Sequence, residues 1–378
     1  MKNALDVIRK NTMLIILVLV VLFFTAMTKG SMIQPSNFDA LIAQNAYVYV
    51  LAAGMLMCML TGGNIDLSCG SFVCFIGSVG GTMMVIKGMN VGLSMALMLL
   101  IGVIYGCVLG YVIAYLNIPP WIATLAGYLA LRGWGVAIMK GLTISPMPDS
   151  FVQMFNGHVP KSFCLIIGAI VCVVFVLVTI KGRTDKLKKG YEAESLTAMI
   201  VKCVLVCAVT MLFAFKFQNH NGIPFSLIWV AVIVLIYHFI TSKTTIGRYF
   251  YTIGGNKEAT RLSGIDTNKI MFTAYLNMAI LTVIAGWVTM ARLTSANPTA
   301  GVNYELDAIS ACVVGGVSAY GGSGTVFGMV IGATLIGVIN LGMSLMGIDA
   351  NWQKVIKGAV LLAAVVFEIL NNKDKVKD

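Results

Sequence analysis

Charged residues are scarce in this chain, and their scarcity excludes the main classes of soluble protein. Only 11% of the 378 residues are Asp, Glu, Lys or Arg, whereas 58% are hydrophobic and the mean hydropathy is +0.90. Soluble domains carry about 25% charged residues. So few charges cannot coat a globule of this size, which excludes a soluble enzyme, a nucleic-acid-binding protein and a disulfide-rich secreted scaffold. At about 20 residues for each spanning helix, the apolar content is enough for roughly ten membrane crossings.

Motifs for nucleotide, metal and nucleophilic chemistry are also missing. No segment matches the phosphate-binding pattern G-x-x-x-x-G-K-[ST], and the nearest stretch, Gly321–Thr325, has no lysine. The nine cysteines form no C-x-x-C pair and no zinc-type spacing with the three histidines. We interpret them as small buried hydrophobic residues. We therefore expect no enzyme activity and no metal or cofactor bound by this chain, so that any ATP hydrolysis would come from another chain.

What is present is a series of twelve apolar runs. They cover residues 12–27, 46–60, 72–86, 91–116, 121–139, 163–180, 196–215, 225–241, 270–293, 307–320, 325–346 and 354–370. They predict an all-α polytopic membrane protein, with residues 1–378 forming a single transmembrane domain. Glycines spaced four apart, as at Gly102, Gly106 and Gly110, favour close packing of helices in lipid.

The net charge of +11 is distributed unevenly among the loops. If each run crosses once, the loops 1–11, 181–195, 242–269 and 371–378 together carry sixteen Lys and Arg, and the loops on the opposite side carry five. Positively charged loops face the cytoplasm. We therefore expect a multi-pass protein of the plasma membrane with both termini in the cytoplasm. The run 307–320 is the weak point, because a run that only dips into the membrane would move the C-terminus outside.

A polar, glycine-rich interruption at residues 60–71 separates two of the runs. Irregular backbone at membrane depth is tolerated only where it is buried in protein or faces water. Asp66 is placed to cap the helix that follows, since Asp accepts hydrogen bonds from free N–H groups of a first turn. Asn64, Asp66 and Ser68 are therefore candidates for a structured break beside a permeation path. A capped turn without a transport role is the alternative.

A second polar segment, Tyr304–Asp307, begins the run 307–320. In both segments an apolar residue precedes an Asp, and a Gly-Gly pair follows 14 and 15 residues after that Asp. The candidate residues here are Glu305 and Asp307, with Asn297 and Pro298 in the preceding turn. The match indicates two structurally related halves, a common plan in transporters, or a coincidence in a glycine-rich chain.

The loop 242–269 carries the clearest local signals. Asn256 can cap a short helix over 257–263, Glu258 lies in its first turn, and Gly264 ends it. A short helix without a large apolar face needs a surface to dock on. We expect a docking element for a cytoplasmic partner, the alternative being a solvated basic loop that only fixes the topology.

Arg132 lies within the run 121–139, where an ionised side chain is costly in lipid and often functional. Its long stem can also carry the charge to the membrane surface. The sequence leaves both interpretations open.

Four blocks in order carry a resemblance. They are Gly62–Ser68 (GGNIDLS), Gly247–Ile265 (containing GGN and EATRLSGI), Ala291–Gly301 (ARLTSANPTAG) and Tyr304–Ile309 with Gly315 and Gly316 after it. Together they resemble the permease subunits of bacterial ABC importers for monosaccharides, the family of the ribose, galactose and xylose permeases. The extra basic loop and pair of crossings over 181–224 look like the xylose and multiple-monosaccharide branch.

This resemblance implies a type II ABC importer-like permease core of about ten helices plus an extra pair. It also implies a homodimer, with cytoplasmic ATP-binding chains that use ATP and Mg²⁺ and an extracytoplasmic sugar-binding protein. In related permeases the helix corresponding to Glu258–Ile265 enters a groove of the ATPase, so 242–269 becomes an ATPase-coupling loop. The implied coupling residues are Gly255, Asn256, Glu258, Ala259, Arg261, Gly264 and Ile265.

Two functional hypotheses compete. The first is the permease subunit of an ATP-driven monosaccharide importer. The second is an ion-coupled secondary transporter of small polar solutes, which needs paired acids within the membrane. Asp66 and Asp307 are the candidates for such a pair, although both lie at the edges of runs. The sequence does not identify the sugar.

Overall fold

A computed structural model describes residues 12–191 and 195–375, with side chains described through residue 366. Residues 1–11, 192–194 and 376–378 lie outside the description, and so do the parts of the predicted terminal segments and of the basic loop that fall there. Within the described ranges the chain forms fifteen α-helices, short 3-10 and π turns and two isolated β-bridges. The prediction of an all-α protein is confirmed.

The helices follow the apolar runs and extend beyond them. In chain order they are α1 (Thr12–Met27), α2 (Pro35–Leu60), α3 (Cys69–Gly81), α4 (Val91–Ala114), α5 (Pro120–Ile138), α6 (Asp149–Asn156), α7 (Cys164–Lys188), α8 (Leu196–Gln218), α9 (Phe225–Lys243), α10 (Thr245–Gly255), α11 (Lys257–Leu262), α12 (Thr267–Leu293), α13 (Tyr304–Val314), α14 (Val326–Leu345) and α15 (Ala350–Lys375). A π turn, Thr82–Ile86, lengthens α3. In the described part of the chain, nine helices are long and apolar enough to cross a membrane, namely α2, α3 with its π turn, α4, α5, α7, α8, α9, α12 and α14.

Side-chain oxygens fix where six of these helices begin. The backbone N–H three residues later donates to the side chain of the capping residue at the starts of α4, α8, α10, α11, α12 and α14; the capping residues are Asn90, Ser195, Thr244, Asn256, Asp266 and Thr325. Each bond satisfies an N–H that has no partner inside the helix. The helix starts are therefore encoded locally.

The core is built around α12, which packs against α2, α3 and α4. The glycines of α4 make this contact close. A methyl group on Gly102 would lie 2.4 Å from Cγ2 of Val283, and one on Gly106 would lie 2.9 Å from Cα of Leu276. Gly110 faces the same helix. The predicted packing role of these glycines is confirmed.

The extra pair of helices, α7 and α8, forms a hairpin that is mostly exposed. The two helices pack against each other at Gly168, and the Phe38 ring on α2 stacks on Phe213 at 4.6 Å. The predicted loop 181–195 is shorter than expected, because α7 continues to Lys188. Its basic residues therefore lie largely on the last turns of a helix.

The run 307–320 is not a single spanning helix, so that part of the prediction is wrong. The helix in this region, α13, has 11 residues. At 1.5 Å per residue it rises about 16 Å, roughly half of a hydrocarbon core about 30 Å thick. An 11-residue helix cannot cross alone.

The unwound segment before α13 supplies the missing length. Ala296 lies against Gly81 at the end of α3, and Gly301 lies against Gly70 at its beginning. The chain then continues through α13, and Gly322 N–H donates to the last carbonyl of α2 at 3.1 Å. The segment 294–303 and α13 together therefore pass along α3 and down to the end of α2.

Candidate functional site

Asp66 holds the first break, the interruption between α2 and α3. Asp66 is buried, and its Oδ1 accepts hydrogen bonds from the N–H of Ser68 at 2.8 Å and from its hydroxyl at 2.6 Å. The Tyr105 hydroxyl on α4 donates to Ser68 Oγ at 2.7 Å. The predicted cap is wrong in detail, because Asp66 binds Ser68, the residue immediately before α3, and not the first turn of α3.

Asn64 stabilises the turn at the other end of the first break, next to α2. Its Nδ2 donates to the carbonyl of Thr61 at 3.2 Å and to Thr61 Oγ1 at 3.1 Å. Between them, Gly62 and Gly63 have φ values of 118° and 72°, a region that favours glycine. The structure therefore brings Asp66 and Ser68 together, whereas Asn64 closes the turn at the end of α2.

Asn297 repeats the Asp66 arrangement in the second break, the unwound segment between α12 and α13. Its Oδ1 accepts from the N–H and the hydroxyl of Thr299, both at 2.8 Å. Pro298 lies between them and has no N–H to leave unpaired. The structural counterpart of Asp66 is therefore Asn297 and not Asp307, so the predicted register between the halves is wrong.

The two breaks meet at a pair of glycines. A methyl group on Gly70 would lie 2.3 Å from Gly301 O, and a methyl group on Gly301 would lie 2.0 Å from Gly70 O. A reciprocal contact of this kind is expected where two equivalent segments meet at a local twofold axis. Both Asp66 to Asn297 and Gly70 to Gly301 are separated by the same 231 residues.

The same offset relates whole helices. Shifted by 231 residues, α2, α3, α4 and α5 begin within four residues of α12, α13, α14 and α15. Along the contact of α2 with α12, Cys58 Sγ approaches Ala274 O at 3.7 Å, whereas the earlier Gly54 faces the later Met278. The two helices are therefore antiparallel, and the halves form an inverted repeat. The prediction of two related halves is confirmed, with this corrected register.

Arg132 on α5 clamps the second break. Its Nη1 donates to Pro298 O at 3.1 Å and to Ala300 O at 2.7 Å, and Cys74 Sγ on α3 also approaches Pro298 O at 3.5 Å. Unwound backbone at membrane depth needs such donors. Arg132 therefore points into the protein and does not extend to the surface. No partner for Arg132 could be predicted from the sequence, because its acceptors lie more than 160 residues away.

Asp307 belongs to a separate polar network. Lys357 Nζ on α15 lies 2.9 Å from Asp307 Oδ1, and the Tyr47 hydroxyl on α2 donates to Asp307 Oδ2 at 2.7 Å. A cavity of about 100 Å³ lies beside this pair, between α13 and α15. Asp66 and Asp307 are thus held by different partners.

Glu305 links the two breaks through its position. It is buried in the first turn of α13, and a methyl group on Gly70 would lie 2.0 Å from its Oε2. Glycine at position 70 therefore makes room for both Glu305 and the Gly301 backbone. In the described ranges no group of three His, Cys, Asp or Glu residues is arranged to hold a metal ion.

The short helix predicted after Asn256 is present as α11. Asn256 Oδ1 accepts from the N–H of Ala259 at 2.9 Å, and Gly264, with φ of 83°, follows the helix end. The predicted cap and stop are confirmed. The Arg261 guanidinium donates to both oxygens of Glu258, at 2.6 and 3.1 Å, and this lowers the pKa of that carboxyl.

One face of α11 is fixed to the protein and the other is open. Thr260 is buried, and Ile265 packs against the main hydrophobic core. Leu262 is 76% exposed, and the Glu258–Arg261 pair lies beside it on the open side. Leu262 and the Glu258–Arg261 pair are therefore accessible to a partner.

The fold defines a polytopic α-helical protein built from an inverted repeat, a plan common in transporters. The chain belongs to the family described as branched-chain amino acid transport system / permease component, which matches residues 37–365. The predicted class, a permease subunit and not an enzyme, is confirmed by this membership.

Named relatives define the branch of the family. The xylose transport system permease protein XylH of Haemophilus influenzae is 34% identical over 361 residues, 96% of each chain. The protein of the same name from Escherichia coli K12 is 34% identical over 93% of this chain and 90% of its own. The ribose import permease protein RbsC of Escherichia coli K12 is 30% identical, over 88% and 85%. No solved structure matches the chain. The predicted resemblance to the xylose branch is confirmed.

Proposed function

We propose that this chain is the membrane subunit of an ATP-driven importer that brings a monosaccharide into a bacterial cell, with a pentose as the first candidate. The observation that carries the proposal is the 34% identity over 96% of both chains with a xylose transport permease. The similarity to a ribose import permease supports a sugar substrate in general. We place ATP and Mg²⁺ on a separate chain, and the lack of a phosphate-binding loop in this sequence supports that placement.

A cytoplasmic ATP-binding protein is the proposed partner of α11. The exposed Leu262 and the Glu258–Arg261 pair would be covered by it. The predicted coupling residues include this ion pair and its neighbours in the chain: Gly255, Asn256, Glu258, Ala259, Arg261, Gly264 and Ile265. ATP binding and hydrolysis would move the partner, and α11 would carry that motion to the permease.

The sugar pathway is proposed to run beside the two breaks. In transporters built from inverted repeats, substrate sites lie at the repeat interface near broken helices. The proposed pathway or supporting residues are Asn64, Asp66, Ser68, Asn297, Pro298, Glu305 and Asp307. An extracytoplasmic sugar-binding protein would deliver the substrate and set much of the selectivity.

A second copy of the chain is proposed to complete the pathway. The equivalent helices α5 and α15 carry large exposed hydrophobic side chains, among them Trp121, Trp134 and Trp352. A dimer that buries this side of both copies fits these features.

The proposed topology has both termini in the cytoplasm. Besides the nine long apolar helices, we count α1, α15 and the second break with α13 as one crossing each. This gives twelve crossings, an even number, as the charge asymmetry requires. In this arrangement α10, α11 and the end of α7 face the cytoplasm, and the lipid bilayer of the plasma membrane surrounds the apolar helices.

The function is tested by reconstitution in proteoliposomes with the ATP-binding and sugar-binding proteins. We expect uptake of labelled xylose or another monosaccharide that requires hydrolysable ATP and both partners. Uptake by the permease alone, driven by a proton or sodium gradient, would establish the ion-coupled alternative instead. The ion-coupled alternative needs a pair of acids. Asp66 and Asp307 are held by different hydrogen-bond partners, so the structure gives that alternative no support.

A further inference from the structure

Three Gly-Gly pairs from distant parts of the chain meet at one place, which we call the glycine junction. They are Gly62–Gly63 at the start of the first break, Gly254–Gly255 at the end of α10, and Gly321–Gly322 between α13 and α14. Sequence separation between the pairs exceeds 60 residues, so only the tertiary structure shows the meeting.

The glycine junction is in direct backbone contact. A methyl group on Gly254 would lie 2.0 Å from Leu60 O and 2.2 Å from Gly322 N, and one on Gly63 would lie 2.0 Å from Ala319 O. Real Cβ atoms are not found so close to other atoms. The three backbone segments are therefore in direct contact, without side chains between them.

Two hydrogen bonds tie the same segments together. Gly322 N–H donates to Leu60 O at 3.1 Å, and the Tyr251 hydroxyl on α10 donates to Gly324 O at 2.9 Å. The first bond joins the end of α2 to the α13–α14 loop, and the second joins α10 to that loop. The contact is therefore fixed as well as close.

Each of the three Gly-Gly pairs is adjacent in the chain to a different functional element. Gly255 directly precedes Asn256, the cap of α11. Gly63 leads within three residues to Asp66 in the first break, and Gly321 follows α13, the helix after the second break. The junction thus connects the docking helix to both halves of the inverted repeat.

We propose that the glycine junction is the joint through which displacement of α11 moves both breaks at once, with Gly254 as its central positioning residue. Close-packed segments have low compressibility and transmit strain, and no rotatable side chain lies between these segments to absorb a displacement. Gly62, Gly63, Gly321 and Gly322 have positive φ values of 118°, 72°, 90° and 72°, a region that favours glycine. This inference rests on the proposed coupling of α11 to an ATPase.

The test is Gly254→Ala in the complete transporter, with Gly182→Ala as the matched control, since a methyl group on Gly182 of α7 has no atom within 4 Å. We expect Gly254→Ala to bind the ATP-binding protein and hydrolyse ATP at normal rates, whereas the sugar transported per ATP falls roughly tenfold, within the range of allosteric coupling. Gly182→Ala should match the wild type in all three measurements.

Tyr251→Phe is a second variant, which removes the bond to Gly324 O without adding volume. It should show the same loss of coupling to a smaller degree, and it keeps the test valid if Gly254→Ala fails to fold. Normal sugar transport per ATP in Tyr251→Phe and in any folded Gly254→Ala would overturn the joint. If the wild type itself shows no ATP-dependent uptake, the proposed function fails, and that result is distinct from a failure of the junction.

Discussion

Arg132 shows how one side chain makes unwound backbone possible inside an apolar bundle. The second break exposes carbonyls that no helix satisfies, and the Arg132 guanidinium binds two of them, those of Pro298 and Ala300. Asp66 and Asn297 solve the same problem for N–H groups by accepting from Ser68 and Thr299. Polar residues at membrane depth in this protein therefore satisfy the backbone as well as lie near the proposed path.

Replacing Arg132 with Met tests the clamp. Hydrogen bonds from charged donors are worth about 1.5–3 kcal/mol each, so losing two should lower the free energy of unfolding by about 3 kcal/mol or more. Arg132→Lys keeps the charge but lacks the forked geometry of a guanidinium. Its free energy of unfolding should therefore lie between those of Arg132→Met and the wild type. Thermal unfolding in detergent measures this, with Lys140→Met at an exposed site beyond α5 as the control. Equal midpoints for Arg132→Met and wild type would rule out the clamp.

At the scale of single elements, α11 is the shortest α-helix in the described part of the chain. It has six residues and depends on Asn256, Gly264 and the Glu258–Arg261 pair for its shape. Short helices are not stable by themselves, so its exposed side is preformed by caps and packing. That arrangement suits a docking contact, because little ordering is needed on binding.

Glu258→Lys should weaken docking to the ATP-binding protein. The change breaks the pair with Arg261 and places a positive charge at the positive end of the helix dipole. Gly264→Pro should act similarly, because proline cannot adopt φ of 83°. We expect co-purification of the ATP-binding protein to fall roughly tenfold or more, while membrane insertion stays normal. Asp185→Lys, an exposed acid near the end of α7, is the control, and normal co-purification of both α11 variants would contradict the docking role.

The α7–α8 hairpin is an element added to the core. Its two ends meet in a short antiparallel bridge, where Val159 N–H donates to Ile223 O at 2.9 Å and Phe225 N–H donates to Gly157 O at 2.8 Å. The core is therefore nearly closed without the hairpin.

Replacing residues 160–222 with Asn-Gly should leave a folded core, since that dipeptide forms the two-residue turn that joins antiparallel strands. We expect the shortened protein to elute as a monodisperse species in detergent and to bind the ATP-binding protein. Aggregation of the shortened chain, with the full-length protein monodisperse under the same conditions, would show that the hairpin supports the core.

For the whole molecule, the inverted repeat determines how many times the chain crosses. The second break lies along α3 from its end to its beginning, and α13 continues from there to the end of α2, so together they can replace one spanning helix. With the proposed cytoplasmic termini, this composite crossing places the start of α15 on the extracytoplasmic side. A chain in which α13 only dips into the membrane would place it on the opposite side.

Single cysteines in a cysteine-free background distinguish these topologies. Asn351→Cys, exposed at the start of α15, should react with an impermeant thiol reagent in intact cells. Lys257→Cys and Lys188→Cys should react only after the membrane is opened. Reaction of Lys257→Cys in intact cells, or protection of Asn351→Cys, would overturn the composite crossing or the orientation.

The sequence alone determined the class of protein, the approximate positions of the spanning helices and the cap and stop of α11. These features depend on local causes, since apolar length, charge near the ends and capping residues act within a few positions. The four motif blocks also identified the family.

Only the tertiary structure decided the features that join distant positions. The partners of Arg132 and Asp307, the register of the inverted repeat and the glycine junction all depend on residues between about 50 and 260 positions apart. The sequence predicts Asp307 as the counterpart of Asp66, because the residue types match. The counterpart in the structure is Asn297, because its backbone geometry and hydrogen bonds match. Hydrogen-bond geometry of that kind is fixed by how helices pack, and no local pattern in the chain encodes it.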